Sequence, residues 1–115
     1  MDNKKLNIEF SEQFLLDLDA ILNYINCVLK NLYATEKLYK EIMYKLEQIR
    51  TFPDMCEIYG GVKNKSFIWR KMRVKNYVIF YTVLEDTIKV ERIIYNRRNS
   101  KEMFLEEKKE VYIAG

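Results

Sequence analysis

Hydrophobic residues are concentrated in three short runs in the second half of the chain, which are separated by polar pairs. These runs are rich in β-branched and aromatic side chains, which predicts three consecutive strands. The strands span residues 67–74, 77–84 and 87–95. They are separated by the polar pairs Lys75-Asn76 and Glu85-Asp86, which have the length of tight hairpin turns. Pairing of each strand with the next predicts an antiparallel meander.

The first half of the chain has the hydrophobic period of amphipathic helices. Before the helices, a short alternating segment at residues 5–10 predicts a strand. Apolar residues then recur every three or four positions, which predicts a first helix over 12–30 with Ser11 as its cap. A second helix follows, for which Thr35 is a possible cap and Pro53 the stop. Two consecutive helices form a hairpin, which we expect to pack on one face of the sheet.

The remaining segments complete an α+β fold. Residues 53–66 are interpreted as a loop, and residues 101–109 as a short C-terminal helix before a tail that ends at residue 115. The predicted order is β-α-α-β-β-β-α, with an antiparallel sheet and the N-terminal helical hairpin on one face. At 115 residues the chain is expected to form a single domain.

The composition excludes several classes of chemistry. The sequence contains no His, which is the commonest metal ligand and the usual general base near neutral pH. We therefore expect no metal site, no cofactor and no small-molecule ligand. Cys27 and Cys56 lie on different segments and are expected to be reduced thiols in a cytoplasmic protein. No apolar run approaches the roughly 20 residues of a membrane span, so no membrane partner is expected.

Positive charge is concentrated in the predicted sheet. Between residues 63 and 101 there are 11 Lys and Arg against three acidic residues, whereas the rest of the chain is net negative. This asymmetry indicates an anionic partner for the sheet. The alternative is that these side chains only solvate the open face of an antiparallel sheet.

Four short motifs occur in order along the chain. They are Phe52-Pro53, Arg70-Lys71-Met72-Arg73-Val74, Asn76-Tyr77-Val78-Ile79-Phe80-Tyr81 and Val90-Glu91-Arg92-Ile93-Ile94-Tyr95-Asn96-Arg97-Arg98-Asn99. Together with the element order they resemble the RelE/ParE superfamily of bacterial type II toxin–antitoxin toxins, in particular its plasmid-stabilisation branch. The resemblance covers residues 5–104, with Asn99 in place of the family's acidic residue. It implies a fold similar to that of microbial ribonucleases.

The resemblance implies a growth-inhibiting toxin that is neutralised by a cognate antitoxin. RelE-type members cleave mRNA inside the ribosome, whereas ParE-type members inhibit DNA gyrase and are not known as nucleases. The basic sheet favours the first activity, so we expect a ribosome-dependent mRNA endoribonuclease whose partners are the ribosome and mRNA. The alternatives are a non-enzymatic gyrase inhibitor and a non-toxic nucleic-acid-binding module with the same fold.

The candidate site residues are basic and aromatic side chains of the predicted sheet. Cleavage of RNA by its 2′-hydroxyl requires proton removal, charge stabilisation on phosphorus and protonation of the leaving group. Arg can clamp a phosphate, and Tyr can supply a proton or stack on a base. The residues predicted to be catalytic are Arg73, Tyr81 and Arg98. Those predicted to bind nucleic acid are Trp69, Lys71, Tyr95 and Arg97.

Structural roles are open alternatives for several of these residues. Both faces of the second meander strand are apolar, so Tyr81 is a candidate for the core as well as for catalysis. Trp69 is a candidate for packing in the sheet, and Arg92 is expected to pair with an acidic residue. Where similar RelE-type nucleases carry an Arg and a Tyr, this chain has Val78 and Phe104.

Overall fold

The computed structural model describes residues 4–60 and 68–96 and has an α+β fold with one five-stranded sheet. The strands are β1 (Asn7–Phe10), β2 (Glu57–Ile58), β3 (Trp69–Val74), β4 (Tyr77–Leu84) and β5 (Thr87–Tyr95). The helices are α1 (Glu12–Asn23), a π-helix (Tyr24–Val28) and α2 (Leu32–Thr51). The predicted fold class is confirmed: strands β3, β4 and β5 form the antiparallel meander, and the helical hairpin lies on one face.

The two outer strands differ from the sequence prediction. The sheet order is β1-β5-β4-β3-β2, and β1 pairs in parallel with β5, so the sheet is mixed. A parallel pairing suits β1, because the two helices carry the chain across the sheet before the meander begins. Strand β2 lies within residues 53–66, which were predicted to be a loop, and its two residues are too short for a periodic signal. The predicted helix at 101–109 lies outside the described residues.

The hairpin turns of the meander hold their first residues in a left-handed conformation. Lys75 has a φ of 53° and Glu85 a φ of 57°. Non-glycine residues rarely adopt such angles, although tight two-residue hairpins require a positive φ at this position. The turns therefore form where the polar pairs predicted them, without the glycine that usually marks them.

The two helices begin with side-chain caps, and one of these differs from the prediction. The Ser11 hydroxyl accepts a hydrogen bond from the Phe14 N–H at 2.9 Å, as predicted for the cap of α1. The α2 helix begins at Leu32, because Asn31 and not Thr35 caps it. The Asn31 side-chain oxygen accepts a hydrogen bond from the Ala34 N–H at 2.9 Å. The Thr35 hydroxyl does not cap the helix but donates to the Asn31 backbone carbonyl at 3.0 Å.

The predicted first helix, residues 12–30, is interrupted. Its α-helical part ends at Asn23, and the five residues from Tyr24 to Val28 form a π-helix. The Leu29 N–H donates to the Tyr24 carbonyl at 3.1 Å, which is the wider spacing of a π-turn. Lys30 then reverses the chain with a φ of 51°. Hydrophobic spacing does not reveal such an interruption, because both helix types keep apolar residues on one side.

The core lies between the helical hairpin and one face of the sheet. Buried side chains from the helices are Phe14, Leu18, Ile25, Leu38, Ile42, Leu46 and Ile49, and those from the sheet are Met72, Val74, Ile79, Tyr81, Ile88, Val90 and Ile93. Ile21 and Leu22 pack against this cluster but are only partly buried. Among the described residues, no helix is long and apolar enough to cross a lipid bilayer.

An ion pair joins α1 to β5 where β1 has ended. The Arg92 guanidinium donates to both carboxylate oxygens of Asp17, at 2.7 and 3.0 Å, and the Ile93 N–H donates to the same carboxylate at 3.2 Å. The pairing of β4 with β5 shifts register at this point, with Glu91 as the additional residue. A bulge of this kind redirects side chains. The predicted acidic partner of Arg92 is therefore Asp17.

Candidate functional site

Three of the predicted site residues lie together on the open face of the sheet, opposite the helices. Trp69, Lys71 and Arg73 alternate along β3 with the buried Met72 and Val74. The register places them opposite residues of β4 that share the open face, namely Thr82, Phe80 and Val78. These strands thus bring one aromatic and two cationic groups to the same surface, as the alternation predicts.

A pair of aromatic rings lies at the centre of this surface. The rings of Tyr59 and Phe80 are 5.0 Å apart, and the Lys71 ammonium lies 5.8 Å from the centre of the Tyr59 ring. Lys71 also pairs with Glu57 at 3.8 Å. The sequence analysis missed Tyr59, because it follows the two-residue strand β2 in a segment without alternation. The one signal that could have found it is the strand propensity of the adjacent residues Ile58 and Tyr59, which is weak over two positions.

The described part of the meander carries less uncompensated positive charge than the sequence indicated. Five of the 11 Lys and Arg counted between residues 63 and 101 lie outside the described residues. Four of the other six are paired with carboxylates, namely Arg70 with Asp54, Lys71 with Glu57, Lys75 with Glu41 and Arg92 with Asp17. Within residues 4–60 and 68–96, Arg73 and Lys89 have no carboxylate partner, and Glu9 and Glu91 lie beside Lys89.

Tyr81 lies on the covered face of the sheet, inside the core. Its side chain is fully buried, and its hydroxyl donates to the Pro53 carbonyl at 2.9 Å. Burial raises the pKa of Tyr81 far above the ordinary range of a phenol, and a hydrogen bond with Cys56 adds to this shift. Arg70 donates to the Cys56 carbonyl at 2.6 Å. Tyr81 and Arg70 therefore anchor the segment between α2 and β2, and this environment favours the core role over catalysis.

We expect Tyr81→Phe to reduce stability and to leave growth inhibition intact. The substitution removes the hydrogen bond to Pro53 and leaves a partly buried carbonyl without this donor, which costs about 1 kcal/mol. The measurements are urea denaturation of the purified variant and growth arrest at matched protein levels. A variant of unchanged stability that has lost its toxicity would instead assign Tyr81 a chemical role.

Tyr95 lies at the end of β5, on the covered side of the sheet. Its ring meets the ring of Tyr77 edge-on at 5.5 Å. Burial raises the pKa of Tyr77, and the neighbouring phenols of Tyr95 and Tyr24 raise it further. Tyr95 is thus part of a tyrosine cluster at the junction of sheet and hairpin, on the face opposite Arg73. Its predicted contact with nucleic acid remains a prediction.

The remaining predicted residues fall into two groups. Trp69 is half-buried, and its indole N–H has no hydrogen-bond acceptor among the described residues. Arg97 and Arg98, like Phe104, lie outside the described residues. Strand β5 ends at the end of the sheet where Arg73 lies, because Arg73, Val78 and Ile94 form one row across three strands.

Comparisons with known proteins identify the family. The fold is similar to that of a chromosomal ParDE toxin–antitoxin system from P. aeruginosa, with a TM-score of 0.64 at 15% identity over 81% of this chain and 98% of that chain. It is also similar to an archaeal RelE-RelB complex from Pyrococcus horikoshii OT3, with a TM-score of 0.59 at 11% identity over 83% of this chain and 99% of that chain. No curated protein sequence matches significantly. The family model of the ParE toxin of the type II toxin–antitoxin system, parDE, matches residues 8–100. The chain therefore belongs to the ParE toxin family of type II toxin–antitoxin systems.

Proposed function

We propose that this type II toxin stops growth by binding and inhibiting DNA gyrase, and that it does not cleave RNA. The observation that carries the proposal is the separation of the two described residues predicted to be catalytic. Arg73 is exposed on the open face, whereas the Tyr81 hydroxyl lies in the core behind the same sheet. Proton transfer requires a donor within hydrogen-bond reach of the reacting group. A phosphate held by Arg73 is therefore out of reach of the Tyr81 proton.

The family match and the residue at position 78 also support gyrase as the target. ParE-type members of the superfamily inhibit gyrase, and the family match covers most of this chain. Val78, which stands where similar nucleases carry an Arg, lies directly opposite Arg73 in the sheet. An apolar side chain at this position leaves Arg73 without a second guanidinium from β4 for clamping a phosphate.

Cleavage of mRNA is the second candidate function. One observation favours it: the Tyr59 and Phe80 rings form an aromatic surface flanked by Lys71 and Arg73, and unpaired bases stack on such surfaces. The groups of this surface that could donate a proton are the Tyr59 hydroxyl and the Lys71 ammonium. A ribonuclease on this scaffold would therefore depend on Tyr59 or Lys71, or on residues outside the described part of the chain, for its acid and base.

We propose a cognate antitoxin as the second macromolecular partner. The two similar structures come from toxin–antitoxin systems, one of them described as a complex of toxin and antitoxin. The helical hairpin also presents large apolar side chains to solvent, including Leu15, Leu16 and Tyr33. An extended surface of this kind suits a segment that folds as it binds.

Pulse labelling after induction separates the two candidate activities. In cells induced to make the toxin, we expect thymidine incorporation to fall first, while incorporation of amino acids continues. Both labels are followed in one culture, with an uninduced culture as the control. Early loss of amino-acid incorporation, together with new 5′ ends in ribosome-bound mRNA, would contradict the gyrase proposal and favour the ribonuclease.

A further inference from the structure

The outer edge of strand β5 is longer than the strand that pairs with it. Strand β1 pairs in parallel with Thr87–Val90, whereas β5 continues to Tyr95. Among the described residues, no other strand pairs with this edge beyond Val90. The outward-facing backbone groups of such an edge readily pair with a strand of another chain, so natural proteins close or disrupt them.

Helix α1 and its cap supply partners in the place of a continued strand. Where β1 ends, the Ser11 N–H donates to the Val90 carbonyl at 3.0 Å, and the Ser11 hydroxyl donates to the Glu91 carbonyl at 2.7 Å. Within α1, the Asp17 carboxylate accepts from the Ile93 N–H at 3.2 Å. Three backbone groups on this edge of β5 are thus satisfied, two of them by side chains.

Arg92 holds the Asp17 carboxylate in this position. Its guanidinium donates to both carboxylate oxygens, at 2.7 and 3.0 Å, and the two side chains are only 19% and 11% exposed. Ile93 itself is buried, so little water reaches its N–H. The carboxylate therefore has two roles that substitutions can separate: it pairs with the Arg92 charge, and it closes the edge of β5.

The start of β1 is closed in a similar way by α2. The Leu6 N–H donates to the Arg50 carbonyl at 2.9 Å, and the Arg50 guanidinium donates to the Leu6 carbonyl at 2.8 Å. Between the two closures, β1 has only four residues, and short edge strands are poor templates for pairing. The helical hairpin thus closes this side of the sheet at both ends.

We propose that Asp17, together with Ser11, prevents the chain from pairing with a second copy of itself along β5. The segment that they close includes two isoleucines and a tyrosine at residues 93–95, which have high strand propensity. The same segment of two copies can pair about a two-fold axis, because each copy offers the other the same backbone groups. This inference goes beyond the proposed function and does not depend on the cellular target of the toxin.

A matched pair of double variants tests the proposal. Asp17→Ala, Arg92→Met and Asp17→Asn, Arg92→Met both remove the ion pair, but only the second retains an oxygen at residue 17 that can accept from the Ile93 N–H. In gel filtration with light scattering, we expect the Ala variant to associate as its concentration rises, to about twice the molar mass of the wild-type chain. The Asn variant should have the molar mass of the wild-type chain at every concentration.

Hydrogen exchange locates the contact, and a core variant controls for lost stability. In the Ala variant, peptides that contain residues 91–96 should exchange about tenfold or more slowly at high than at low protein concentration. Phe14→Ala removes a buried ring from α1 but leaves this edge closed, so it should keep the wild-type molar mass. Asp17→Leu, Arg92→Met fills the same space with apolar side chains and provides a second variant without the acceptor, should the Ala variant fail to fold.

The outcomes distinguish closure of the edge from other origins of association. Association of the variants without an acceptor at residue 17, with protection at residues 91–96, supports the proposal. Equal association of the Asn variant or of Phe14→Ala would overturn it, because loss of the ion pair or of stability would then be the cause. Unchanged molar mass in the folded variants without the acceptor, or association that leaves exchange at residues 91–96 unaltered, would overturn it as well.

Discussion

Replacing Asp17 with Ala is expected to destabilise the protein by about 3–5 kcal/mol, which is the usual cost of breaking a buried ion pair. Asp17 and Arg92 are only 11% and 19% exposed, so solvent replaces little of the lost interaction. The substitution removes the two hydrogen bonds that the Arg92 guanidinium donates to Asp17 and the one that the Ile93 N–H donates to it. Since a small domain has a free energy of unfolding of about 5–15 kcal/mol, this loss should be large in urea denaturation.

A matched exposed pair provides the control. Glu47 pairs with Lys5 and Arg50 at the surface, and the hydrogen bond from Lys5 lowers the pKa of Glu47. Glu47→Ala should leave the midpoint of urea denaturation nearly unchanged, because exposed pairs contribute little. The double variant Asp17→Ala, Arg92→Met should be more stable than Asp17→Ala alone, since it also removes the half-buried charge that had paired with Asp17. Equal stabilities for Asp17→Ala and Glu47→Ala would contradict the structural role of the pair.

Replacing Phe14 with Ala is expected to cost about 3–5 kcal/mol, because it leaves a cavity between α1 and the sheet. Phe14 is completely buried, and its ring stacks on Phe10 with centroids 5.4 Å apart. The neighbouring Leu15 lies on the same helix but is half exposed. Leu15→Ala should therefore change the free energy of unfolding by only about 0.5 kcal/mol.

The contrast between these adjacent positions tests the orientation of α1. Both substitutions remove a large side chain from the same turn and replace it with a good helix former, so helix propensity has little effect on the comparison. The midpoint of urea denaturation should fall strongly for Phe14→Ala and barely for Leu15→Ala. The reverse order would mean that α1 is rotated about its axis relative to the structure.

The meander and the hairpin could be predicted because each depends on a local pattern. The runs of β-branched and aromatic residues gave the strands of the meander, and alternation along the first of them placed Trp69, Lys71 and Arg73 on one face. The ion pair of Arg92 could also be anticipated, since a guanidinium among apolar neighbours requires a carboxylate. Its partner Asp17 could not, because the contact joins residues that are 75 positions apart. Local sequence patterns do not indicate which residue of an early helix contacts which residue of a late strand.

The rest of the site depended on non-local contacts that the strand pattern does not contain. Tyr81 has the same sequence pattern whether its hydroxyl faces a substrate or the Pro53 carbonyl, and only the path of the chain after α2 decides between the two. The uncompensated positive charge of the meander was similarly overestimated, because carboxylates from the hairpin and from β2 pair with its cations. Counting charges along the sequence does not include these partners.

Inhibition of purified gyrase by the purified full chain tests the central claim most directly. The toxin is titrated into a reaction containing gyrase, relaxed plasmid and ATP, and the same concentrations are added to a cell-free translation reaction with a defined mRNA. Gyrase inhibition predicts a dose-dependent loss of supercoiled plasmid, with protein synthesis and mRNA length unchanged. Normal supercoiling at concentrations that stop translation and shorten the mRNA would contradict the proposal and identify the toxin as a ribonuclease.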